Sequence, residues 1–289
     1  MRTSATMMRG GVDDAEAVHD TRVAARRLVA ALEFLEPILP AGHGKLARKV
    51  RRSRRALGQF RDLDILGMLL QKSPCSGGEA INLLRERIRT SRIGRQREIR
   101  ESFSPLLGSG LIEKLRRIQR DGFQERLAQR IGSGEGFVPA RTLPMVERFR
   151  RIAVEVVQQD YTTAILHQLR IAGKRLRYGL EIALPDGDEK AAVLGAFAAM
   201  QETLGEIHDH AVAAEYLAAL ARDERGRIGT FEARFRAGSE RHAGEYDAAA
   251  AEMTRVARAQ AVGFRGGWPA ERFARMSEWV ITALSRPRG

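Results

Sequence analysis

A single cysteine, Cys75, denies this 289-residue chain an internal disulfide or a multi-cysteine zinc site. A reducing compartment is expected, and the cytoplasm fits. Aromatic residues are only 6% of the chain, which is thin for a surface that stacks nucleobases on rings. No apolar run approaches the roughly 18 residues that would cross a bilayer; the longest, Ala191 to Met200, reads as part of an amphipathic helix. The opening MRTSATMMRGG holds no apolar stretch of leader length, so no secretory leader is expected. Strand-like alternation is missing, as are a phosphate-cradling glycine loop, a Ser/His/Asp arrangement and an acid and base paired at catalytic spacing. What remains is an all-α chain with a weak signal for catalysis.

Cations are in excess. The formal net charge is +13 and the isoelectric point near 10.8, which points to a polyanionic partner: nucleic acid, polyphosphate or an acidic membrane surface. Charge alone does not choose among them.

The chain also says one thing twice. HDTRVAARRLVAALE, from His19 to Glu33, returns as HQLRIAGKRLRYGLE, from His167 to Glu181, 148 residues on (167 − 19). His19, Arg22, Arg26, Arg27, Leu28, Leu32 and Glu33 fall on His167, Arg170, Lys174, Arg175, Leu176, Leu180 and Glu181. At roughly 100° per residue, His19, Arg22 and Arg26 share one side of a helix, while Ala25, Leu28, Leu32 and Leu35 occupy the other. The second copy sets His167, Arg170 and Lys174 against Leu169, Leu176 and Leu180. An arginine row is usually a solvated face. Solvation, however, does not demand the same His-x-x-Arg-x-x-x-basic-basic spacing in two copies.

A second matched segment keeps the register. Leu57-Gly58-Gln59-Phe60-Arg61-Asp62 corresponds to Leu204-Gly205-Glu206-Ile207-His208-Asp209, 147 apart (204 − 57). On these motifs, together with Asp64, Arg177 and Tyr178, the chain resembles the CHAD domain, the conserved histidine α-helical domain. The resemblance implies two pseudo-symmetric antiparallel four-helix bundles that bind inorganic polyphosphate along a basic channel, without catalysis or cofactor. Many members follow a triphosphate tunnel domain with an ExExK motif, which this chain lacks.

Helix signals divide the chain in that sense. One bundle is expected over about 14–131, a glycine-rich linker over about 132–142, a second bundle over about 143–260, and a C-terminal extension over 261–289 carrying a short helix beyond the repeat. Asp13 and Asp14 suit the start of the first helix, and Pro37, Pro40 and Pro185 stop the two motif helices. The predicted helices run about Lys45 to Gln71, Glu79 to Phe103, Leu111 to Arg130, Leu143 to Gln158, Asp188 to Arg222 and Arg225 to Ala259. Arg51, Arg52, Arg54 and Arg55 correspond to Ala198, Ala199, Gln201 and Glu202, so a polyanion track should lean on the first half.

Polyphosphate offers no base, ring or sugar to read, so its receptor needs closely spaced cations. Arginine contributes forked donors and lysine a point charge. The candidate contacts are His19, Arg22, Arg26, Arg27, His167, Arg170, Lys174 and Arg175 from the motifs. Arg48, Arg52, Arg55 and Arg89 join them on charge and helix geometry, and Arg177 and Tyr178 by position. Arginines nearby should drive protons off the two histidines, and a bound polyanion should restore them. Asp62, Asp64 and Asp209 are expected to hold arginine rotamers, because carboxylates repel phosphate.

Two rivals stand beside this reading. A metal-dependent HD-type phosphohydrolase would use His208-Asp209-His210, but the repeat sets Arg61 opposite His208 and arginine cannot ligate a metal. A helical protein gripping nucleic-acid phosphates would show a steep salt dependence, yet no base-reading module is present. The expected protein is non-catalytic and cytoplasmic, with polyphosphate granules as its candidate location.

Overall fold

The computed structural model describes residues 15–39, 43–75, 77–91, 110–120, 125, 129, 136–228 and 233–285, with backbone alone at 15–22 and at some positions within later helices. Every regular element among the described residues is helical. Helix α1 (Ala15–Phe34) is followed by a 3-10 turn (Glu36–Ile38), α2 (His43–Lys72), α3 (79–91) and α4 (Leu111–Arg120). Then come α5 (Phe137–Gln158), α6 (Thr163–Ala183), α7 (Asp188–Ile228), α8 (Ala233–Gly267) and α9 (Ala270–Ser285). The expected N-cap at Asp13 and Asp14 and the expected helix beyond residue 91 lie outside the described residues.

Proline sets several boundaries as anticipated. Leu39 and Leu184, which precede Pro40 and Pro185, both take extended backbone (ψ 145° and 139°), because the proline ring disfavours the helical region for its neighbour. Helix α5 begins at Phe137, before the expected Leu143. Residues 137–142 form the first turns of α5, since Pro139 is tolerated in a first turn and the segment has apolar work to do. Val138 and Thr142 are buried, and Phe137 meets Phe34 of α1 edge-on at 6.1 Å.

Among the described residues, most buried apolar side chains fall into three groups. The largest joins α5, α6, the first half of α7, the end of α8 and α9, with Phe149, Leu169, Phe197, Phe264 and Val280 among its members. A second takes Leu66 and Leu70 from α2 and Ile81 and Leu84 from α3. It packs them with Ala213 and Leu217 of α7 and Tyr246 and Met253 of α8, so elements from both sequence repeats share one interior. The third lies between α1 and α2, around Val29, Leu32, Leu46 and Val50. Each fully buried aliphatic or aromatic side chain contributes about 1.5–3 kcal/mol.

Helix α6, the second motif helix, is seated closely. A Cβ at Gly173 would stand 2.7 Å from Met200 Cε of α7, and one at Gly179 would stand 2.9 Å from Met145 Sδ of α5. Helix α7 runs for 41 residues, about 60 Å at 1.5 Å per residue. Its buried stripe of Val193, Phe197, Met200, Leu204 and Ile207 stops before Ala213, and residues 208–212 are all only partly buried. There the helix leaves one interior for the next, and the polar part of the molecule begins.

Candidate functional site

Four helices contribute charge near that waist. From α6 come His167, Arg170 and Lys174, at the i, i+3, i+7 spacing that keeps them on one side. Helix α7 supplies His208 and Asp209, α2 supplies Arg61 and Asp62, and α1 supplies Arg26. The clearest link between the two motif helices is Arg26, whose Nη1 donates to the Tyr178 hydroxyl at 3.3 Å. One residue on, Arg27 Nε lies 3.0 Å from Glu181 Oε2. The same carboxylate receives Arg177 Nη2 at 3.5 Å, and Arg177 Nη1 donates to Gln201 of α7 at 3.1 Å. Thus α1 is tied to α6 by two arginines, and α6 to α7 by a third.

Arg170 is the most enclosed cation of the set. Burial pulls its proton affinity down, and Asp209 and Asp62, which are repeat-related carboxylates on α7 and α2, push it back up. Arginine stays charged under such forces, and the two carboxylates offset part of the cost of its burial. Asp209 is in turn raised by burial, against the pull of Arg170, Arg61 and Lys174. The Arg170 Nε has no hydrogen-bond partner among the described residues.

The motif histidine meets a second imidazole. His167 Nδ1 and His208 Nδ1 are 3.1 Å apart, with ring centroids at 4.4 Å and an interplanar angle of 31°. Burial, then Arg170 and Lys174, hold His167 below the usual histidine value, with Glu215 opposing. Burial and then Arg170, His167 and Lys174 push His208 down to about 4. Beside His208 and Asp209, a cleft of about 80 Å³ opens between α2 and α7, lined also by Asp62, Leu66, Val212 and Tyr216.

Other expected contacts lie elsewhere. Arg89 gives both Nε and Nη2 to Glu86 on its own helix, at 2.9 and 2.7 Å. With Asp64, Met68 and Arg85 it lines a wider groove of about 350 Å³ between α2 and α3, away from the motif helices. Asp62 and Asp64 thus serve different openings, as residues two apart on a helix must. Arg48, Arg52, Arg55 and Arg175 are exposed. The side chains of His19 and Arg22 lie outside the described residues. His210 turns its Nδ1 to the Glu206 carbonyl at 2.9 Å, and among the described residues no three of His, Cys, Asp and Glu gather as a metal-binding group.

Sequence reasoning missed His208 as a partner of His167, and Glu181 and Gln201 as anchors. The signals were present: His208 lies in the second matched segment and Glu181 closes the motif itself. Spacing along one helix does not say which neighbour a side chain meets.

Described elements that are all helical, with two motif helices that meet through arginine, tyrosine and glutamate, point to the class. The sequence profile of the CHAD domain family matches residues 3–218, and the chain belongs to that family. Among solved structures, the fold is similar to the crystal structure of the CHAD domain from the plant Ricinus communis. The TM-score is 0.60 at 23% identity, over 99% of this chain and 86% of that one. No curated protein matches the chain. Among the described residues, no helix is long and apolar enough to cross a membrane.

Proposed function

We propose that this chain binds inorganic polyphosphate, without cleaving it, along the face where the two motif helices meet, and that the repeat reflects two pseudo-symmetric four-helix bundles sharing the ligand. The observation that carries the reading is the Arg26 to Tyr178 contact, because it sets two copies of one basic motif against each other. Cations on each helix then recur about every 5.4 Å, one turn, a repeat that a flexible phosphate string can follow. The excess of +13 supplies the long-range attraction, and the low aromatic content suits a ligand without bases. In the cell such a protein would sit in the cytoplasm or at polyphosphate granules.

The test is a titration with long-chain polyphosphate over a salt series. Reversal of the repeat-equivalent pair Arg26→Glu and Lys174→Glu should weaken binding by about tenfold or more and flatten the salt dependence. Reversal of Arg286 and Arg288, which lie outside the described residues, should do far less. Equal losses would reduce the site to net charge. Displacement by duplex DNA or RNA at equal phosphate concentration would overturn the specificity, and phosphate release with added Mg²⁺ or Mn²⁺ would favour the phosphohydrolase.

A further inference from the structure

The two halves differ at one position beside the motif histidine. Where the second half has His208, the first has Arg61, a permanent cation. The second half has therefore put a titratable group in place of a fixed charge and set it 3.1 Å from His167. Two ring nitrogens at that distance are bonded only if one carries a proton and the other offers its lone pair. In the neutral pair one ring is protonated on Nδ1 and the other on Nε2. A single added proton enters at the free Nε2, and the Nδ1 to Nδ1 bond survives. A second would set two N–H groups against each other. The pair holds one extra proton and no more.

We infer that His208 is a positioning residue acting through His167: it fixes the motif imidazole on α6 and couples the uptake of one proton by the pair to the binding of the polyanion. The inference rests on the phosphate-binding reading above. Neither Nε2 has a protein partner among the described residues, so the protonated pair keeps a donor for a phosphate oxygen.

The surroundings set the direction. Arg170 and Lys174 on α6 oppose the proton, and Glu215 on α7 favours it at His167; Arg26 on α1, Arg61 and Asp62 on α2 and Asp209 on α7 act on Arg170 or on one another beside it, and Tyr216 shares the cleft with His208. Without ligand the cations and burial prevail, and His208 stays neutral down to about 4. A phosphate string laid on those cations reverses their effect and raises the affinity for the proton. Bound protein then holds more protons than free protein, so affinity increases as pH falls from near the ordinary histidine value towards the depressed one. One proton permits at most about tenfold per pH unit.

Calorimetric titration with long-chain polyphosphate at about pH 7.5 and about pH 5.5, in buffers of different ionisation enthalpy, tests this. Only the chain ends of such a ligand titrate near about pH 6, so its own charge is nearly constant. The native protein should bind several-fold tighter at the lower pH and take up a proton. His208→Gln should shrink both effects, with His167 and His19 keeping their own response, and should cost more affinity at the lower pH than at the higher. His208→Arg, which copies the first half, should bind with a weaker pH dependence than the native protein and at least as tightly as the native protein does at the higher pH, and it serves if the glutamine variant folds poorly. An unchanged pH profile in these variants, an equal loss at both pH values, or a native protein indifferent to pH would overturn the inference and leave polyphosphate binding standing. A native protein that does not bind at either pH would overturn the proposed function itself.

Discussion

At the residue scale, charge is a poor guide to what a side chain does. Arg170 and Arg175 belong to the same motif, but one is enclosed beside Asp209 and Asp62 and the other is exposed. The stripe of His167, Arg170 and Lys174 was legible from spacing alone. The carboxylates that answer Arg170 come from α2 and α7, and no periodicity within α6 could place them. Glycine shows the same dependence on distant partners. A Cβ at Gly78 would fall 2.2 Å from Glu245 Oε2, the oxygen that receives the Ala80 N–H at the start of α3 at 2.8 Å. Gly78→Ala would turn the flexible end of the Glu245 side chain away from the Ala80 N–H, so it should cost about 0.5–2 kcal/mol in denaturant unfolding, the range for losing such a cap. Gly195→Ala, on an exposed turn of α7 with nothing within 4 Å of the new Cβ, should instead gain about 0.5–1 kcal/mol.

At the scale of the element, the helices were readable and their ends less so. Stripes at helical spacing gave α1, α2 and α6 to within a few residues at the described ends, because buried faces repeat whatever they touch, but α7 runs on past the expected Arg222 to Ile228 and α8 begins at Ala233 and not at Arg225. The start of α5 was hidden by its glycines and prolines, which look like a linker until Phe137 and Val138 are seen to pack. That start also completes α1. Arg141 Nε donates to the Phe34 carbonyl at 3.0 Å, and its Nη2 donates to the Glu33 carbonyl, so a cation from α5 caps the negative end of the first motif helix. Arg141→Ala should destabilise the fold by about 1.5–3 kcal/mol, as for hydrogen bonds to a charged group. It should also loosen α1, seen as faster amide exchange in its last turn than in α6.

At the scale of the whole molecule, the repeat announced likeness between the halves but not how they share their interiors. Helices α2 and α3 pack with α7 and α8, and α9, read as an appendage beyond the repeat, places Phe273, Met276 and Val280 in the largest core. Periodicity reveals which face of a helix is apolar, while partner choice depends on shapes that only the assembled chain has. The family match ends at residue 218, well short of these contributions. Removing α9 alone strips five buried apolar side chains, Ala283 and Leu284 among them, of which Phe273, Met276 and Val280 contribute about 1.5–3 kcal/mol each, against a total stability of about 5–15 kcal/mol. A chain ending at residue 267 should melt far earlier than the full one, and a chain ending at 218 should show no cooperative melting by circular dichroism.

Helix α7 is gripped at its two ends by different neighbours and left half-bare at residues 208–212. It works like an axle held in two bearings, with the load applied midway. A ligand seated there would touch a segment that joins the two interiors.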